Sequence, residues 1–232
     1  WANTGKTVRN NIEEQNKNVL YSSYAVEVAH KFGCHTFIGV GSQAEYGRKE
    51  KPLTGDMLCE PETAYGTMKL CACYTTRMLC DQYGMRHVWP RVLSGYGKYD
   101  NDGSVLIANI VNSLHHRPLE FSKGEQIWDF VYMDDIANAL YLIAKKGKNH
   151  AIYPIGSGKA RPLKEYIEIM CEQLGEEAEK GLGKIPYGLG QIMYLEADSS
   201  KLTEDTGWKP QVEFETGIQR VIEFHKSWDV YK

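Results

Sequence analysis

The chain has 232 residues, 27 Lys and Arg against 30 Asp and Glu, a net charge of −3, and 42% hydrophobic and 25% charged residues. That length can bury one large core or two modest ones, and the composition excludes collagen-like, disordered and coiled-coil chains. No apolar run approaches the roughly 18 residues of a membrane span, Trp1 to Asn11 lack a charged-then-apolar leader pattern, and the basic residues are scattered among acidic ones rather than gathered in a stripe. A soluble, cytoplasmic chain that takes a small molecule is expected, with neither nucleic acid nor membrane as partner.

Taken in chain order, helical and strand-like segments alternate. Residues 12–32 form an amphipathic pattern ending at Gly33, and 36–40 read as a short buried strand. Residues 61–83 read as a second long helix closed by Gly84, and 86–92 as the next strand. Then follow a helix over 103–114, a strand over 127–132, a helix over 134–144, a strand over 151–155, a helix over 162–174 and a last helix over 216–228. Alternation of this kind predicts an α/β fold with a parallel sheet. The glycine-dotted stretch 175–190 is the one long loop, and loops of that kind often cover ligands.

Cys34, Cys59, Cys71, Cys73, Cys80 and Cys171 have no CxxC spacing, and a chain of this size does not depend on disulfides, so buried reduced thiols are expected. His115 and His116 are sequence neighbours that point to different faces, and no HxxxH pattern occurs. No metal site is predicted.

Two segments carry chemistry. Residues 37–47 run from a buried strand into a small, polar loop, which places Ser42 beyond the carboxyl end of a strand, where open parallel sheets bind ligands. Tyr65 and Lys69 stand four apart on a helix and share a face, so an ammonium beside the phenol would pull the phenol's pKa down toward neutral pH.

The order Ser42, Tyr65, Lys69 resembles the Ser/Tyr/Lys triad of the extended short-chain dehydrogenase/reductases. Residues 128–137 (WDFVYMDDIA) are similar to the RDFVYVDDVA-type segment of the nucleotide-sugar epimerases and dehydratases in that family. Residues 91–97, 153–158, 198–202 and 207–210 match further collinear motifs. The resemblance implies a Rossmann-like parallel sheet, N-terminally incomplete, over residues 1–93 and about 124–148. A smaller C-terminal α/β substrate domain would take about 94–123 and 149–232. It implies NAD or NADP as cofactor, with Ser42, Tyr65 and Lys69 catalytic and Gly41, Tyr65, Lys69, Arg91 and Leu93 against the dinucleotide. Tyr65 would exchange a proton with a sugar oxygen, Lys69 would lower its pKa and hold the nicotinamide ribose, and Ser42 would orient the same oxygen. Asp129 and Tyr132 would be structural.

Departures from the family bear on the reaction. The 232 residues contain no GxxGxxG turn for the cofactor pyrophosphate, so a fragment of a longer protein or a natural truncation is expected, and the chain by itself should bind dinucleotide poorly. Gln43 and Ala44 stand where the 4,6-dehydratases carry an Asp-Glu pair, which disfavours dehydration. Trp128 replaces an arginine that grips a substrate diphosphate, leaving Arg117, Arg161 or Lys184 to supply charge. Gln43, Ser94, Arg117, Trp128 and Arg161 are the expected substrate contacts. The implied function is oxidoreduction at a sugar carbon of a nucleotide sugar, with 4-keto reduction ahead of 4-epimerisation; the other alternative is a non-catalytic remnant. A homodimer through helices 12–32 and 61–83 is expected.

Overall fold

The structure is a computed structural model that describes residues 8–228; residues 1–7 and 229–232, the outer ends of the two expected domain segments, lie outside the described residues. Helix α1 (Ile12–Lys31) begins where the Asn11 side chain accepts the Glu14 N–H. Strands β1 (Thr36–Ile38) and β2 (Gly41–Ser42) follow. Helix α2 (Ala64–Gln82) starts three residues later than the pattern suggests, because Thr63 caps it by accepting the Gly66 N–H.

Strand β3 (Arg86–Val92) is the centre of a parallel sheet, with β1 and β2 on one side of it and β7 (Ile152–Ile155) on the other. Its side chains alternate between two faces. Val88 and Val92 turn toward helix α4 (Met133–Lys146) and a cluster with Ile136, Ala139, Tyr153, Leu202 and Trp208. Trp89 turns to the other layer, against Ala72 and Cys73 of α2.

The second lobe holds β4 (Ser94–Tyr96), α3 (Val105–Leu114), β5 (Ile127–Trp128), β6 (Phe130–Tyr132), β8 (Arg161–Pro162), α5 (Leu163–Leu174) and α7 (Phe214–Ser227), while α6 (Ser200–Thr206) packs on α4. The core of the second lobe is Tyr96, Ile107, Ile110, Phe130, Tyr166, Ile167, Phe214 and Ile218 with their neighbours. The strand expected over 127–132 breaks at Asp129: β5 pairs antiparallel with β8, and β6 pairs parallel with β4. The cause is the Asp129 carboxylate, which is fully buried and accepts the N–H groups of Ser157, Gly158 and Ala197 and the Ser157 hydroxyl at 2.5–3.1 Å. Asp135 ties down the C-terminal part in the same way, accepting the N–H groups of Gln211 and Val212. Strand β7 lies in the main sheet, where it pairs with β3.

All six cysteines are free. Cys73, Cys80 and Cys171 are buried as expected, whereas Cys34 and Cys71 are exposed, because they sit on outward positions beside α1 and on α2. Among the described residues no helix is long and apolar enough to cross a membrane, and no cluster of His, Cys, Asp or Glu could hold a metal ion.

His87 is fully buried, stacked between Phe37 and Trp89, with one ring nitrogen 2.9 Å from the Thr76 hydroxyl. Burial, then the charges of Arg77 and His150, push its pKa down to about 4. The unfolded chain therefore binds one more proton than the folded chain between about pH 4 and 6.5, so stability present above 6.5 is lost as pH falls through that window. The loss expected from this group is about 3 kcal/mol. Denaturant midpoints measured from pH 7 to 4 should fall less steeply for His87→Phe than for the parent chain.

Candidate active site

The turn that follows β2 is a short 3-10 helix, Gln43–Glu45, and Ser42 caps it: its hydroxyl oxygen accepts the Ala44 N–H at 3.2 Å. That leaves the hydroxyl hydrogen free to be donated. Ser42 is paired with Val92 at the carboxyl end of β3, so it stands at the edge where ligands meet a parallel sheet. Tyr65, in the first turn of α2, is placed by residues just ahead of α1: its N–H donates to the Arg9 carbonyl at 3.0 Å, and the Ala64 N–H donates to Asn10 Oδ1. Lys69 lies one turn further along α2, 8% exposed, with its ammonium 5.4 Å from the centre of the Trp89 ring. The structure sets the Tyr65 phenol beside the Ser42 side chain and Lys69 one turn further along the same helix.

The electrostatics differ from the expectation. Burial raises the Tyr65 phenol above its ordinary value; the Ser42 hydrogen bond and the Arg9 charge oppose that rise, and Glu45 adds to it. The downward pull expected from Lys69 does not prevail, because the lysine's own charge is disfavoured by burial and its ammonium rests on Trp89. Arg9, whose guanidinium lies 5.5 Å from the Tyr65 ring centre, is a neighbour that the sequence offered no pattern to find.

Two of the expected cofactor contacts, Arg91 and Gly41, have partners in the interior. Arg91 is 1% exposed; its Nε donates to Glu45 at 2.7 Å, and its guanidinium lies 4.4 Å above the Tyr46 ring. Gly41 is a glycine because a Cβ there would come within 2.3 Å of the Trp89 indole nitrogen and 2.5 Å of Glu45 Oε1. Leu93 packs with Tyr46, Leu53 and Leu195, and also lines a cavity.

That cavity, of about 460 Å³, is lined by Leu93, Ser94, Asn101, Glu120, Gln126 and Trp128 among others, within the size range of small-ligand sites. Trp128 Nε1 donates to Ser94 Oγ at 2.8 Å, so these two expected substrate contacts stand together on its wall. Asp100 and Glu120 also line it, and none of its lining residues is Arg or Lys. Gln43 lines a second cavity of about 270 Å³ with Arg9, Asn10, Arg48 and Thr63. Gln191 borders the first cavity and Leu189, Gly190 and Ile192 the second, so one segment flanks both. Arg117 and Lys184 are exposed and line neither. Arg161, the cross-strand partner of Trp128, pairs with Glu215 at 2.9 Å and lies over Tyr166, and it lines neither cavity.

The nicotinamide-ribose end of a dinucleotide fits these residues: Lys69 offers three donors, has no hydrogen-bond or ion-pair partner among the described residues, and lies one helical turn from Tyr65. A profile of the NAD dependent epimerase/dehydratase family matches residues 2–156. The chain belongs to that family. It is 27% identical over 172 residues to the dTDP-glucose 4,6-dehydratase of Salmonella typhimurium, which covers 71% of this chain and 48% of the relative, so the chain spans about half the length of that enzyme. A protein of Methanocaldococcus jannaschii provisionally named UDP-glucose 4-epimerase is 28% identical over 231 residues, covering 97% of this chain and 74% of the relative. Among solved structures, RMD from Pseudomonas aeruginosa complexed with NADPH superposes with a TM-score of 0.83 at 20% identity, over 90% of this chain and 73% of that one. The UDP-glucuronic acid 4-epimerase of Bacillus cereus in complex with NAD gives 0.82 at 22%, over 93% and 68%. These likenesses establish the Rossmann-type fold of the extended short-chain dehydrogenase/reductases.

Gly41→Ala should lower stability by about 1–3 kcal/mol whether or not a dinucleotide is added, because it overpacks Trp89; a thermal melt with no loss, or a loss seen only with ligand present, would return Gly41 to the cofactor site.

Proposed function

We propose that the chain carries out NAD(P)-dependent oxidoreduction at a sugar carbon of a nucleotide sugar, and that 4-keto reduction is the reaction. The observation that carries this reading is the buried Tyr65 phenol beside Ser42, which stands at the carboxyl end of the sheet strands. A phenol kept protonated is a proton donor, which is what a carbonyl needs as it becomes an alkoxide. Ser42 would hold the same oxygen, and Lys69 would bind the ribose hydroxyls. The bound dinucleotide supplies the hydride. Gln43 and Ala44 offer no carboxylate for eliminating water, which supports reduction over dehydration.

The sugar and base would occupy the 460 Å³ cavity, where Ser94, Asn101, Gln126 and Trp128 offer neutral polar contacts. Its acidic lining disfavours a diphosphate there; Arg117 does not line it, and Arg161 is engaged by Glu215. Epimerisation at C4 is the second reading, favoured by the Methanocaldococcus jannaschii relative that spans 97% of the chain. Leu20, Tyr24 and Val28 of α1, Phe32 just after it, and Tyr74 and Met78 of α2 are exposed, and a second copy of the chain covering them would give the expected homodimer.

Titration of NAD(H) and NADP(H), followed by turnover of a 4-keto nucleotide sugar, tests the reading. Tyr65→Phe should keep dinucleotide binding and lose about 10²–10³-fold in turnover. Stoichiometric consumption of reduced dinucleotide supports reduction, whereas an epimerised product with no net consumption supports the second reading. Failure of the 232-residue chain to bind either dinucleotide would leave the non-catalytic alternative.

A further inference from the structure

Directly beneath the proposed catalytic residues lies a carboxylate that the reaction above does not use. Glu45 is fully buried in the turn after Ser42. Its Oε1 accepts the Ser42 backbone N–H at 2.8 Å, both of its oxygens lie 3.2 Å from the Trp89 indole N–H, and Oε2 accepts Arg91 Nε at 2.7 Å. The same indole carries the Lys69 ammonium 5.4 Å from its ring centre. One carboxylate therefore touches the backbone of one proposed catalytic residue and, through a single ring, underlies the charge of another. An indole whose N–H is donated to an anion holds more electron density on its face, which strengthens its attraction for a cation.

The surroundings of Lys69 leave no substitute for that charge. Burial disfavours the ammonium; Glu45 is the largest influence that opposes the burial, and Cys73 comes next. The other titratable and charged groups nearby are Tyr46 beside Glu45, Tyr65 on α2, Cys59 in the loop before α2, Arg91 on β3 and Arg9 ahead of α1. Burial pushes Tyr46 and Cys73 up to about 12 and raises Tyr65 and Cys59, so all four are neutral near pH 7. Of these groups, Glu45 is the one anion.

We propose that Glu45 is a positioning residue, seating Ser42 through its backbone and Lys69 through the Trp89 indole, and keeping a fixed negative charge below both. The proposal rests on the reading that Ser42, Tyr65 and Lys69 form the reacting group.

The test is a ¹³C NMR titration of the 232-residue chain labelled at the lysine Cε, with the Lys69 signal assigned by its loss in Lys69→Arg. Glu45→Gln keeps an oxygen for the Ser42 N–H and removes the charge, so the Lys69 midpoint should fall by about one pH unit. A midpoint that does not fall would overturn the proposal. If the unpaired Arg91 prevents Glu45→Gln from folding, the double variant Glu45→Gln/Arg91→Met, with both charges removed, should give a smaller shift of the same sign, and no downward shift there overturns the proposal equally. In turnover, Glu45→Gln should lower kcat about tenfold with KM little changed and move the alkaline limb of the pH profile down with the Lys69 midpoint; an unaltered profile would mark Glu45 as structural only. If Tyr65→Phe leaves turnover intact, the reading of the site fails while the Lys69 titration still decides the Glu45 question, so the two failures are distinguishable.

Discussion

The close approach of the Trp89 indole to the backbone at Gly39 and Gly41 is the constraint on which the rest of the site depends. A side chain at Gly39 would come within 2.0 Å of that ring, and one at Gly41 within 2.3 Å. With no side chains in the way, Gly41 and Ser42 reach register with Arg91 and Val92, and the strand end delivers Ser42 beside Tyr65. The ring then serves its other neighbours, donating to Glu45 and carrying Lys69. A large aromatic in a central strand thus does more than fill volume, since its one polar edge and its face are both committed to charged groups.

Much of this architecture was legible because it rests on local periodicity. The alternation of helical and strand patterns marked the parallel sheet and the long helices, and the spacing of Tyr65 and Lys69 correctly placed them on one helix face. What stayed hidden was set by distant partners. The strand over 127–132 reads as continuous, but Asp129 is recruited by groups 28 to 68 residues away and interrupts it. Helix α6 spans 7 residues, too few to show a period. Glu45 in a polar turn carries no pattern of its own, because its partners Trp89 and Arg91 lie 44 and 46 residues further on. The upward direction of the Tyr65 shift is likewise a property of burial, which only the packed fold decides.

Two fully buried carboxylates, Glu45 and Asp129, illustrate different uses of the same group. Glu45 is matched by a cation and two neutral donors, so its cost of burial is offset mostly by charge. Asp129 receives four neutral donors and no cation, and burial accordingly raises its pKa even as those donors oppose the rise. The first sits beside the proposed chemistry and the second stitches the two lobes.

That stitching has a consequence for the order in which the molecule can be completed during its synthesis. The Leu53 N–H donates to the Glu196 carbonyl and its own carbonyl accepts from Asp198, while Ala197 between them reaches Asp129. The loop that leads from Ser42 to Tyr65 is therefore anchored by a segment that leaves the ribosome well over a hundred residues later. That loop is without this anchor until residues 196–198 have been made, so the native tie between the two segments forms late in synthesis.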